Sequence, residues 1–101
     1  MLNIRMDRNR WTVDIDGHAG YAEKGHDIVC AAASMLSATL MRALGGINGC
    51  DITDDGEHTH ISCNPTLAQA EYVATAMDVI DHGYQLLANS YPAHVTYTKY
   101  S

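Results

Sequence analysis

The stretch Gly17–Ser34 reads GHAGYAEKGHDIVCAAAS. It predicts that His18 ends a strand and that Cys30 lies in the first turn of a helix, with Asp27 as the N-cap. A glycine-bounded loop over residues 19–26 joins the two elements. A thiol becomes a nucleophile only as the thiolate, which both a nearby imidazole and a helix N-terminus favour. The stretch therefore indicates a cysteine nucleophile site.

Two interpretations of His18 and Cys30 stay open on spacing alone. In the first, His18 is the base and Cys30 the nucleophile, and the N–H groups after Cys30 stabilise an oxyanion. In the second, Cys30 is a small buried residue on an alanine-rich helix and His18 is an ordinary surface residue. Asp27 either only caps the helix or also orients the loop. Ser34, one turn after Cys30, either hydrogen-bonds near the site or only permits close packing.

Outward from this stretch, the apolar pattern of the 101 residues predicts a single α+β domain over residues 1–101. Alternating apolar residues predict two strands before the loop, and two apolar stripes at helical spacing predict two helices. Residues 47–53 and 57–62 predict a hairpin, and a last strand follows Tyr91-Pro92. The predicted order is ββαββαβ, with a mostly antiparallel sheet and two helices packed on one side.

Composition narrows the class of protein. The formal net charge of −6 argues against direct nucleic-acid binding, which needs basic side chains to neutralise phosphates. The chain has no apolar run long enough for a membrane span, and its first residues do not resemble a signal peptide. We therefore expect a cytoplasmic protein whose three cysteines are free thiols. Centring the hairpin turn on Asp55-Gly56 places Cys50 opposite Ile61 rather than Cys63, which disfavours a disulfide.

A metal site is a weaker interpretation of the second hairpin. His58 and His60 share one face of a strand, whereas Cys63 falls on the opposite face. A structural zinc site needs about four ligands, and the remaining ligand is not evident. His26 as a third ligand beside His18 and Cys30 is also disfavoured, because catalytic zinc sites usually add a carboxylate or a histidine from a rigid element. We expect a solvated strand with no metal and no cofactor.

The same stretch closely resembles the signature of the ribosomal-processing cysteine proteases, the Prp family. The family pattern is Gly-His-Ala, a short loop containing a glycine, and Asp-(Ile/Val)-Val-Cys-Ala-Ala-Val-Ser. One departure is Ala33, where the family usually has valine. The positions that match are Gly17, His18, Ala19, Gly25, Asp27, Ile28, Val29, Cys30, Ala31, Ala32 and Ser34.

This resemblance implies a cytoplasmic, homodimeric cysteine endopeptidase with a Cys–His dyad. It implies Cys30 as the nucleophile, His18 as the base, and a loop over residues 19–26 that orders around substrate. The implied substrate is the precursor of the twenty-seventh protein of the large ribosomal subunit, from which a short N-terminal extension is removed. The alternative is a non-catalytic module that binds a peptide or a ribosomal protein. The supporting residues would be Gly17, Ala19, Gly20, Gly25, Asp27, Ala31 and Ser34.

Overall fold

The computed structural model describes residues 1–23 and 25–100. Lys24 in the predicted loop and Ser101 at the end of the predicted domain lie outside the described residues. The element order ββαββαβ confirms the prediction. The bounds are β1 Leu2–Asp7, β2 Thr12–Gly17, α1 Ile28–Leu44, β3 Cys50–Asp54, β4 His58–Cys63, α2 Leu67–Ser90 and β5 Val95–Tyr100.

The five strands form one sheet in the order β3-β4-β2-β1-β5. Among the described residues, three of the four strand pairs are antiparallel and only β1 and β5 run parallel, which confirms the mostly antiparallel prediction. The pairing of β2 with β4 is the important one for function. It brings the end of the first hairpin beside the turn of the second, although the two are about 40 residues apart in sequence.

One face of the sheet carries the core. Alternate strand residues such as Ile4, Val13 and Ile61 are fully buried, as the period-two pattern predicts. Both helices cover this face with their apolar stripes, which include Leu40 of α1 and Tyr84 of α2. Burial of this much apolar surface is the main favourable term that holds the layers together. The prediction of two helices on one side is confirmed.

The two helices approach closely at Gly83. A Cβ added at Gly83 would lie 2.7 Å from Cδ2 of Leu36 on α1. The glycine therefore weakens α2 locally but lets α1 pack closely against it. Next to this contact, the hydroxyl oxygens of Ser37 and Tyr84 lie 3.0 Å apart. Burial raises the pKa of Tyr84 to about 12, so its hydroxyl stays neutral in the helix layer.

The register of the second hairpin differs from the prediction. Cys50 pairs directly with Cys63, not with Ile61. The reason is the turn: the N–H of Asp55 donates to the carbonyl of His58, so the turn is centred one residue later than expected. Gly56, with φ +89°, takes the first position of this two-residue turn, where hairpins of type II′ place a glycine.

The paired cysteines are free thiols in the described structure, as predicted. Cys63 is buried and Cys50 is half-buried. Burial and the contact with Cys50 raise the pKa of Cys63 to about 12. Since the thiolate is the reactive form, Cys63 should be inert toward alkylation at neutral pH. Within residues 1–23 and 25–100, no helix has both the length and the apolar character that crossing a membrane requires.

Asp81 of α2 is a buried carboxylate, 5% exposed, at the interface with β5. It accepts hydrogen bonds from the Tyr97 hydroxyl at 2.6 Å, from Lys99 Nζ at 3.0 Å and from Gln85 Nε2 at 3.0 Å. Desolvation works against the charged form, but these three donors together hold the pKa of Asp81 below its usual range. The ionised carboxylate therefore ties α2 to β5.

Asp81→Asn is expected to lower the free energy of unfolding at pH ~7 by about 1.5–3 kcal/mol, because it removes hydrogen bonds to a charged group. The folded-state pKa lies below the unfolded value of about 3.9, so this stabilisation is present above pH ~4 and is lost as the pH falls through the folded-state pKa. Urea unfolding of both proteins across this pH range measures the difference. Glu71→Gln, at an exposed site on the same helix, is the control. A difference that stays constant down to pH ~2 would contradict the assignment.

Candidate active site

Asp27 fixes the start of α1. Its Oδ1 accepts from the backbone N–H groups of Val29 at 3.0 Å and Cys30 at 2.9 Å, so it is the predicted N-cap. Its Oδ2 accepts from the N–H groups of Tyr21 at 3.0 Å and Ala22 at 3.4 Å. The hydrogen bond from Cys30, together with the weaker ones, holds the pKa of Asp27 below its usual range. One carboxylate thus joins the loop to the helix turn that carries Cys30.

Gly17 ends β2 and turns the chain toward the site. Its φ is +89°, and a Cβ at this position would lie 2.5 Å from the backbone oxygen of Met1. Only glycine fits this conformation and this close approach. Its N–H donates to the carbonyl of Glu57 at 3.4 Å, which links the end of β2 to the turn before β4. The backbone therefore delivers His18 beside the second hairpin.

The imidazole of His18 is exposed and lies beside Glu57. Nε2 of His18 is 2.7 Å from Oε2 of Glu57, and the two side chains are 63% and 74% exposed. A polar contact this exposed contributes little free energy and can be exchanged at low cost. In the described part of the chain, no hydrogen bond joins His18 to Cys30. Sequence reasoning missed Glu57 because its proximity depends on the pairing of β2 with β4.

The sulfur of Cys30 is half-buried and faces the backbone of Ala19. The N–H of Ala19 points at Sγ from 3.4 Å, and the carbonyl of Ala19 accepts from Nδ1 of His94 at 3.0 Å. Ala19 itself is 2% exposed. This N–H is a fixed hydrogen-bond donor that faces the sulfur. His94 holds the peptide in place, and its sequence spacing gave no signal of this role.

Two aromatic contacts anchor the beginning of the loop. The ring of Tyr21 packs edge-on against Tyr91 at 5.5 Å and against His94 at 5.3 Å, measured between ring centroids. Tyr91 and His94 lie between α2 and β5. The beginning of the loop is therefore fastened both to the α2–β5 connection, through the ring of Tyr21, and to Asp27, through the N–H groups of Tyr21 and Ala22.

A cavity of about 390 Å³ opens between α1 and the two hairpins. Both His18 and Cys30 line it, so the fold brings the two predicted catalytic residues to one space. Gly17 and Ser34 also line it, whereas Ala31, Gly20 and Gly25 are exposed outside the lining. The lining is Leu2, Ile15, Gly17, His18, Cys30, Ala33, Ser34, Ser37, Ala38, Met41, Asp54, Gly56, Glu57 and Thr59.

The sequence predicts that the backbone N–H groups near Cys30 stabilise an oxyanion, but the structure shows these groups in other hydrogen bonds. The N–H groups of Val29 and Cys30 donate to the side chain of Asp27. The N–H of Ala31 donates to the backbone carbonyl of Asp27 at 3.0 Å. These first-turn groups are therefore already engaged by Asp27. The N–H of Ala19, across from the sulfur, instead points at Sγ of Cys30.

Comparison with known proteins identifies the family to which the chain is similar. The family model described as Cysteine protease Prp matches residues 1–96. The Ribosomal processing cysteine protease Prp of Mycoplasma genitalium is 37% identical over 100 residues, covering 94% of this chain and 92% of that protein. The protein of the same name from Staphylococcus aureus strain Mu50 is 42% identical over 53 residues, covering 48% of this chain and 50% of that protein.

Two solved structures share the fold. One is the essential ribosomal processing protease Prp from S. aureus in complex with a covalently linked product peptide. It has a TM-score of 0.84 at 26% identity and covers 98% of this chain and 99% of that chain. The other, SMU.848 from Streptococcus mutans, has a TM-score of 0.72 at 30% identity and covers 98% of this chain and 91% of that chain. The chain belongs to the Prp family of cysteine proteases, and its activity is that of a cysteine protease.

Proposed function

We propose that this protease removes a short N-terminal extension from the precursor of the twenty-seventh protein of the large ribosomal subunit. The observation that carries the proposal is the cavity that His18 and Cys30 share, beside the fixed N–H of Ala19. The names of the relatives, ribosomal processing proteases, support the substrate class. Because ribosomes are assembled in the cytoplasm of bacteria, we place the reaction there. No metal or cofactor enters the proposed reaction.

In the proposed mechanism Cys30 and His18 act as a dyad. His18 leaves Glu57 and accepts the thiol proton, and the Cys30 sulfur attacks the scissile carbonyl. The oxyanion forms close to the sulfur, where the N–H of Ala19 can donate to it. His18 then protonates the leaving amine, and water hydrolyses the thioester. A covalently linked product, as in the S. aureus complex, is a species of the kind that nucleophilic catalysis forms.

Asp27, His94 and Glu57 are positioning residues in this mechanism. Asp27 holds the first turn of α1 and the loop backbone together, and His94 holds the peptide of Ala19. Glu57 holds the imidazole of His18 at the cavity edge until substrate enters. The contacts of His94 with Ala19 and of Glu57 with His18 join residues that are distant in sequence, so the site forms only when the whole domain folds.

The direct test is mass spectrometry of the full chain mixed with the full-length ribosomal-protein precursor. We expect one peptide bond of the precursor to be cut near its N-terminus and the mature protein to accumulate. A precursor that stays intact while an unrelated peptide is cut would overturn the substrate assignment. Binding of the precursor without any cleavage would favour the alternative, a non-catalytic binding module on the same fold.

We also propose that the protein is a homodimer that pairs through the outer face of α1 and α2. Met35, Tyr72, Val79 and Leu86 are 68%, 50%, 62% and 68% exposed on these helices. Met35 and Leu86 line one groove between the helices, and Tyr72 and Val79 line another. An apolar face of this kind usually marks an interaction surface.

Leu86→Asp is expected to weaken dimerisation by more than about tenfold, because it would place a charge in an apolar interface. Sedimentation velocity over a concentration series measures the association. Asn9→Asp, which adds the same charge at an exposed turn away from the helices, should leave the association unchanged. A wild-type chain that sediments as a monomer throughout would refute the dimer.

A further inference from the structure

The helix-free face of the sheet carries a compact group of histidine and aspartate side chains. Asp14 and Asp16 lie on β2, and His58 and His60 lie on the neighbouring β4. The register places Asp14 opposite His60 and Asp16 opposite His58. Since side chains alternate along a strand, all four project from the same face, away from the core. The candidate active site lies on the other side of the sheet, with α1.

Three ligand atoms of this group converge. Oδ1 of Asp14 is 2.6 Å from Nδ1 of His60 and 3.6 Å from Nε2 of His58. One ligand atom from each of the three residues lies within 4.8 Å of the other two. A tetrahedral zinc site with bonds of about 2.0–2.2 Å separates its ligand atoms by about 3.3–3.6 Å. Small side-chain rotations would therefore place all three atoms around one ion.

The surroundings of His58 match those of a metal ligand. Its Nδ1 is hydrogen-bonded to Oδ1 of Asp16, which leaves Nε2 directed toward Asp14. Arg5 in turn lies beside Asp16, with Nη2 3.6 Å from Oδ2. Metal-binding histidines commonly donate their second ring N–H to a carboxylate, which fixes the tautomer and orients the ring. Asp16 occupies that outer position here.

We propose that Asp14, His58 and His60 form a binding site for a divalent transition-metal ion, with Zn²⁺ as the ion of choice. Two imidazole nitrogens and one carboxylate suit zinc better than Ca²⁺ or Mg²⁺, which prefer oxygen ligands. His60 must bind through an Nδ1 that carries no proton, so the hydrogen bond to Asp14 gives way to coordination by both groups. The partly exposed position leaves room for water as a fourth ligand. The ion would cross-link β2 and β4.

A binding experiment separates a zinc site from plain His–Asp hydrogen bonds on a polar face. Zn²⁺ chloride is titrated calorimetrically into the full chain at neutral pH, in the Cys30→Ser background so that the site thiol cannot bind the ion. We expect one ion per chain. His60→Gln and Asp14→Asn should each weaken binding by more than about tenfold, and Asp16→Asn by about 10- to 100-fold. His82→Gln, at an exposed histidine on α2, should change nothing.

Zn²⁺ should also raise the melting temperature of the Cys30→Ser protein but not that of its Asp14→Asn variant, because only a correctly folded site gains the ion. Asp14→Asn preserves side-chain shape, so it keeps the test valid if His60→Gln does not fold. Absence of saturable uptake overturns the proposal, as does equal affinity in the parent and in the Asp14→Asn variant. Both readouts are independent of protease activity.

Discussion

Replacing Cys30 with serine is expected to reduce cleavage of the ribosomal-protein precursor by at least about 10³-fold. The reason is that most of the rate enhancement of such enzymes is lost when the nucleophile is removed. A serine hydroxyl at the same position is far less acidic than a thiol, and the N–H of Ala19 cannot make up that difference. The measurement is the single-turnover rate of product formation followed by mass spectrometry.

The thiol itself offers a second readout for this prediction. Iodoacetamide should label Cys30 faster than Cys50 or Cys63, because Cys30 lines the cavity beside a fixed N–H. The raised pKa of Cys63, about 12, keeps that thiol protonated at neutral pH. Cys50→Ser is the matched control and should retain full cleavage. Comparable cleavage by the Cys30→Ser and Cys50→Ser proteins would remove Cys30 from the mechanism.

Local features of the site were predictable from sequence. Asp27 caps α1, and Cys30 lies in the first turn, because both depend only on residues within one helical turn. The strand that ends before His18 was predictable from alternation alone. These signals are encoded by neighbours in the chain, so one sequence is sufficient to find them.

Contacts between distant elements were not predictable in the same way. Glu57 reaches His18, and Asp14 reaches His60, only because β2 pairs with β4 across a helix and a strand. Periodicity identifies a strand but not its partner, so the proximity of Asp14 to His58 and His60 could not be found from spacing. The predicted register of the second hairpin was wrong by a shift of the turn, because Gly56 takes the first rather than the second position of the turn.

His18→Ala is expected to lower precursor cleavage by about 10²- to 10⁴-fold, the usual contribution of a general acid–base residue. It should also slow the labelling of Cys30, because the imidazole no longer draws the proton from the thiol. Both effects require His18 to leave Glu57, from which its Nε2 now lies 2.7 Å. Rates for the variant are measured with the precursor and with iodoacetamide under the same conditions.

The contact between His18 and Glu57 predicts a smaller loss of cleavage for a change at Glu57 than for one at His18. Because both side chains are exposed, Glu57→Gln should change cleavage less than about tenfold, whereas His18→Ala removes the base altogether. Free imidazole should restore part of the lost rate in His18→Ala, since the vacated space opens into the cavity. A purely structural histidine would not respond to imidazole. Full cleavage by His18→Ala would show that Cys30 is activated without this residue and would remove His18 from the mechanism.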